Sequence, residues 1–366
     1  MRLFKQLAAI AICVCTITPS IAADFATVEP GHQLTFPQDT GAHPAFRTEW
    51  WYATGWLNQP DGKPLGFQIT FFRSATGHDP ADPGAFAPSQ LIIAHAALSD
   101  PSFGRLVHDQ KISRQGFDLA YAKTGNTQVK LDAWQLHRAA DGQYAVTVNA
   151  TDFTLNLTLT PTAGPLLQGD NGYSRKGPLP AQASYYYSEP QLRVTGKVTR
   201  ASAQNGKPAL DTTVTGSAWL DHEWSSTVLS ADAVGWDWLG ANLTDGSALM
   251  AFKVRSHDGS AVWTHATLRD PQGHTTSFDG KQVDFTPRRT WRSPRTGTSY
   301  PVSETVKTGD VTWSLDPLMD DQELDSSQST GAVYWEGAVT VSRDNKSVGH
   351  GYLELTGYNK ALKMEK

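Results

Sequence analysis

The sequence carries only two cysteines, Cys13 and Cys15, and both fall in an apolar run near its start. The rest of the chain has no thiol, so no disulfide staples it and no thiolate can hold a metal or attack a substrate. Stability must come from a hydrophobic core, which roughly 340 residues can supply, most simply as two domains. Long apolar runs are missing too. After the first 23 residues no stretch approaches about 18 consecutive apolar residues, so no transmembrane helix is expected. There is no basic excess: removing Arg2 and Lys5 from the 31 basic residues leaves 29 against 36 acidic ones, a net charge of −7. That argues against nucleic acid as a partner and against an anionic membrane surface.

Familiar catalytic signatures are equally scarce. No Gly-x-Ser-x-Gly elbow is present, so an α/β-hydrolase nucleophile has no place. His222-Glu223 is not followed by a second histidine, and the eleven histidines show no metal-ligand spacing. "GHGYLE" lacks the third glycine of a dinucleotide fingerprint, and no phosphate loop occurs. Neither a metal nor any other cofactor is expected.

What is present begins with a leader. Arg2 and Lys5 precede "LAAIAICVCTI", and "TPSIAA" offers small residues for cleavage after Ala22 or Ala23. This is the layout of a secretory signal peptide over residues 1–23, and it predicts export to the periplasm or beyond. Strand signals follow throughout. "TEWWYATGWL", "LGFQITFFR", "QLIIAHAALS" and "FTLNLTLTPT" are short, β-branched or aromatic, and often alternate with period two. Turn signals such as "QPDGKP", "ADGQ" and "TDGS" separate them. The pattern predicts an all-β chain of antiparallel barrels or sandwiches. Segment 161–186, rich in proline and glycine, reads as a long loop.

The chain also echoes itself. "WWYATGWLNQPDGKPLGFQITFFR" has a shorter counterpart in "WDWLGANLTDGSALMAFKVR", and "YSEPQLRVTGKV…VTGSAWLDHEW" in "YWEGAVTV…GHGYLELTGY". Two copies of one β unit are implied, one over residues 24–225 and one over 226–366.

Three aromatic clusters carry the candidate chemistry. In "WLDHEW", alternation sets Trp219, Asp221 and Glu223 on one face and Leu220, His222 and Trp224 on the other. Two carboxylates beside an indole in an apolar cleft retain a proton near neutrality. Asp221 or Glu223 could then act as general acid, with His222 orienting it and an indole face steadying a cation. "GYLELTGY", the corresponding strand of the second copy, lacks the Asp-His-Glu run. A charged strand end with His222 bonded to a carboxylate is the structural alternative. In "HPAFRTEWWYATGW", Trp50, Tyr52, Thr54 and Trp56 share a face opposite Glu49, Trp51, Ala53 and Gly55. The aromatic face suits a large apolar ligand or simple core filling, and His43 and Arg47 could close a pocket mouth or pair with Asp39 and Glu49. Trp236 and Trp238 share a face opposed by Asp237, and a core or inter-barrel role is the favoured reading for them beside ligand contact. The candidate ligand contacts are therefore His43, Glu49, Trp50, Trp51, Tyr52, Trp219, Trp224, Trp236 and Trp238.

"FPQDTGAHPAFRTEWWYATGWL", "YYYSEPQL", "WLDHEWSS" and "YWEGAV…GYLELTGY" together resemble the AttH-like, or carotenoid 1,2-hydratase (hydroxyneurosporene synthase), family. The resemblance runs from about Phe36 to Tyr358. It implies a tandem pair of lipocalin-like β-barrels. The family includes carotenoid hydratases, proteins known only as predicted secreted hydrolases, and members encoded beside ABC transporter genes; fungal lipocalin-like cyclases share the architecture. The expected function is binding of a hydrophobic isoprenoid, polyene or lipid-like molecule, with acid-catalysed hydratase- or cyclase-like chemistry. A non-catalytic lipid carrier, or an accessory protein of an ABC transport system, is the alternative. A sugar-stacking sandwich is a third, and it would need its tryptophans on an open face.

Overall fold

The structure, a computed structural model, describes residues 25–78, 88–202 and 209–362. The expected leader lies outside these residues. Turn chemistry sets the strand lengths. At the first hairpin the Asp61 carboxylate accepts the Lys63 amide at 3.1 Å, and Gly62 takes φ +82°, a conformation costly for any residue with a Cβ. The described residues form two antiparallel sheets, of 13 and 10 strands.

Both sheets are wound alike. In each, the first long strand hydrogen-bonds the last: Thr48–Asn58 pairs with Leu210–Thr227, and Ala233–Leu243 with Lys346–Leu355. In each, the hydrogen-bonded order is broken after the fourth strand, between Leu106–Arg114 and Ala120–Ala122 in the first and between Thr275–Asp279 and Val283–Arg292 in the second. The first sheet curls until its ends approach, giving a nearly closed barrel around Trp51, Phe67, Phe71, Trp134, Tyr144 and Leu220.

The sequence predicts two barrels; the second sheet does not close. Its terminal strands explain why. In Thr275–Asp279 only Phe278 packs on the core, and beyond Phe285 the strand Val283–Arg292 keeps only Trp291 against it. Edges with so little apolar surface have little to gain by wrapping further over the core. Segment 161–186 also departs from the expected loop. It contributes the short strands Leu166–Leu167 and Tyr173–Arg175, both paired with Ala183–Arg200. At two and three residues they are too short to show a period.

The sheets meet face to face through their central strands. Tyr52, Trp56 and Trp219 of the first pack against Trp238, Met250, Ala338 and Tyr352 of the second. Hydrogen bonds cross the seam: Trp56 Nε1 donates to the Gly351 carbonyl at 3.0 Å, and Asn242 to the Ala218 carbonyl at 2.9 Å. Between the sheets, beside this contact, the packing opens.

Candidate active site

A cavity of about 590 Å³ lies between the sheets. Strand alternation decides which side chains reach it. From Thr48–Asn58 it takes Trp50 and Tyr52, from Leu210–Thr227 Asp221 and Glu223, and from Ala233–Leu243 Trp236 and Trp238. Register brings them abreast, because Tyr52 lies directly opposite Asp221 and Trp238 directly opposite Glu354. Both pairings join the first long strand of a sheet to its last.

Glu354 is the residue that motif comparison missed. "GYLELTGY" looks devoid of the acidic cluster, yet alternation from Tyr352 puts Glu354 on the cavity face. Pairing the first and last strands of each sheet, rather than comparing strings, would have found it.

The carboxyls differ in their surroundings. Asp221 accepts from Trp219 Nε1 at 2.6 Å, Ser188 Oγ at 2.5 Å and Tyr186 OH at 2.7 Å. Burial still pushes it up to about 7 against these three donors, and the nearby Glu223 charge adds to the rise. Glu354 has one partner, Trp236 Nε1 at 2.8 Å, on Oε2. Burial pushes it up to about 7 as well, with the charges of Asp221 and Glu223 reinforcing. Oε1 of Glu354 has no hydrogen-bond partner among the described residues, and the half-buried side chain opens onto the cavity. Glu223 is held differently. Its Oε1 accepts the Ser184 hydroxyl and lies 3.0 Å from the ammonium of Lys176, which rests over the Tyr186 and Phe252 rings. Glu336, across the strand pair from Glu354, accepts the Tyr52 hydroxyl; burial and the charge of Glu354 raise it well above the carboxylate range.

Glu49, Trp51, His222 and Trp224 lie on the far face of the same strands, and His43 joins them from the loop before Thr48–Asn58. Glu49 Oε1 meets His222 Nε2 and His43 Nδ1, each at 2.8 Å, and Oε2 accepts Arg73 Nε at 2.7 Å. Burial alone would raise Glu49, but the bonds from His222 and His43 and the charges of His222 and Arg73 hold it well below its ordinary value. Burial lowers His222 to about 4, whereas His43, pulled down by burial, is raised overall by Asp39 and Glu49. Trp51 stacks on His222, with ring centroids 4.6 Å apart, and Trp224 on His43, at 3.7 Å. Hence His43, Glu49, Trp51, His222 and Trp224 are brought together, but away from the cavity. Trp219 sits at its edge and acts on Asp221. Arg47 stacks over Phe25.

His43, Glu49 and His222 offer three ligand-type atoms within 4.8 Å of one another. Arg73 already occupies the second oxygen of Glu49, and both imidazoles spend a nitrogen on the first. The cluster is wired as a buried ion-pair network.

The AttH-like family profile matches residues 27–358. The crystal structure of a candidate AttH from Nitrosomonas europaea is 60% identical and superposes with a TM-score of 0.84, covering 91% of this chain and 100% of that one. Kievitone hydratase from Nectria haematococca is 14% identical, with a TM-score of 0.66 over 93% of this chain and 97% of its own. CghA, also 14% identical, gives 0.53 over 92% and 97%. At that identity the likeness shows a shared fold. No curated protein matches the chain. The profile spans the first strand of one sheet through the last strand of the other, and the chain belongs to the AttH-like family.

Proposed function

We propose that the inter-sheet cavity binds a hydrophobic, isoprenoid- or polyene-like molecule and that Glu354 protonates one of its double bonds. The observation that carries this is geometric: of two carboxyls raised to about 7 in one aromatic cavity, Glu354 has an oxygen free to meet a ligand, whereas Asp221 is clasped by three donors. The free oxygen makes Glu354 the better-placed proton donor, and the three donors suit Asp221 to facing the developing positive charge. Glu354 delivers its proton to one alkene carbon, and the cation forms on the neighbouring carbon. Asp221 and the faces of Trp238 and Trp50 stabilise that cation. Water, or a nucleophile within the same molecule, adds to it, and the proton released returns to Glu354. The first outcome is a hydration and the second a cyclisation; distant fold relatives include a hydratase.

A carrier without turnover would use the same cavity but would not need Glu354. Native mass spectrometry separates cavity binding from chemistry. An apolar molecule should copurify with the wild type and with Glu354→Gln, but not with Ile93→Trp, which fills the cavity without touching an acid. Equal retention by a folded Ile93→Trp places the ligand elsewhere and defeats the reading.

A further inference from the structure

The cavity has a second polar end. Asp221, Tyr52, Thr70 and His95 occupy directly paired positions on four neighbouring strands of the first sheet. His95 is therefore three strand spacings from Asp221, about 14 Å across the cavity floor. Its Nδ1 lies 2.9 Å from Tyr334 OH and its Nε2 2.9 Å from Ser329 Oγ, which donates to Gln110 at 2.7 Å. Tyr334 and Ser329 come from the second sheet and the loop before it, and all three line the cavity. Leu91 and Ile93 supply apolar lining from the His95 strand, and Ile112 from its neighbour Leu106–Arg114.

The Tyr334 hydroxyl is left with unused acceptor capacity. Burial, with the charge of His108 adding, lowers His95 to about 3, so the ring is neutral and one nitrogen carries the proton. Ser329 spends its hydrogen on Gln110 Oε1, whose amide nitrogen donates to the Asp325 carbonyl, so His95 carries its proton on Nε2 and donates to Ser329 Oγ. Tyr334 then donates to Nδ1, and its lone pairs face the ligand. A ligand hydroxyl can donate to them; an ether oxygen cannot; a carboxylate has no hydrogen to give and must be desolvated beside uncharged groups.

We infer that this end is a subsite for the hydroxyl group of an elongated, neutral, apolar molecule, contacted by Tyr334 and set by His95 and Ser329. The inference rests on the cavity reading above and adds that the ligand is an alcohol whose hydroxyl sits at Tyr334, on the His95 side of the cavity, about 14 Å by strand spacing from Asp221 and nearer to Glu354, whose charge reaches the Tyr334 phenol.

Calorimetric titration with dodecanol, its methyl ether and dodecanoate tests it. Dodecanol should bind roughly threefold to tenfold more tightly than the ether, the worth of one hydrogen bond, and dodecanoate more weakly than either. Tyr334→Phe should erase the margin of alcohol over ether while leaving ether affinity unchanged. Equal affinity for alcohol and ether in the wild type, or a margin that survives in Tyr334→Phe, overturns the inference. Should Tyr334→Phe fail to fold, the wild-type contrast decides alone. Binding of neither compound would sink the cavity reading itself, whereas equal binding of both removes only the subsite.

Discussion

Glu354 and Asp221 lie on opposite walls of one cavity, and each is costly to ionise there. The cost has a definite pH signature. Glu354 keeps its proton to about 7 in the folded chain, but an unfolded chain releases it near 4.5. Between those values the unfolded state ionises first, so this group removes stability as pH rises through the window and contributes nothing below it. Glu354→Gln cannot ionise. Relative to the wild type it should therefore gain about 1–3 kcal/mol between roughly pH 4 and pH 8, part of the full shift being screened by cavity water. Urea midpoints of both proteins at the two pH values measure it; a difference that stays constant, or shrinks towards alkaline pH, means that Glu354 is ionised in the folded state.

Strand alternation made the faces of individual residues legible: Trp219, Asp221 and Glu223 do share a side, as do Trp50 and Tyr52, and Trp236 and Trp238. Which side meets a ligand was not legible, because both sides of these strands are buried and both carry tryptophan and carboxylate. Asp221 and His222 are neighbours in sequence, yet one faces the cavity and the other the Glu49 network inside the barrel. Only pairing between strands far apart in the chain distinguishes them, and Glu354 enters the site by that route. The close approach of the sheets is likewise invisible in one strand. A Cβ on Gly66 would lie 2.7 Å from the Cβ of Ala338, across the seam. Gly66→Val should therefore overpack the seam and cost about 1–3 kcal/mol, read as a lowered thermal midpoint. An unchanged midpoint would mean that the sheets are not held together at this point.

At the scale of the molecule, two sheets of like winding place their central strands back to back, and the cavity belongs to neither alone. This explains why the fold could be anticipated from the hairpin echoes, while the openness of the second sheet and the location of the site could not. Failure to close depends on the sparsely apolar edge strands Thr275–Asp279 and Val283–Arg292, and the site depends on how the two sheets face each other. Family and fold leave the reaction open, since one architecture hosts many chemistries. The central claim is transfer of a proton from Glu354 to carbon, and it holds whether water or an internal nucleophile completes the reaction. The protein should therefore be incubated in deuterium oxide with an apolar extract of its own cells, and the products analysed by mass spectrometry for deuterium that does not exchange back. The account predicts a product carrying one carbon-bound deuteron, formed by the wild type and absent with folded Glu354→Gln. No such product, or the same product from both proteins, would contradict it.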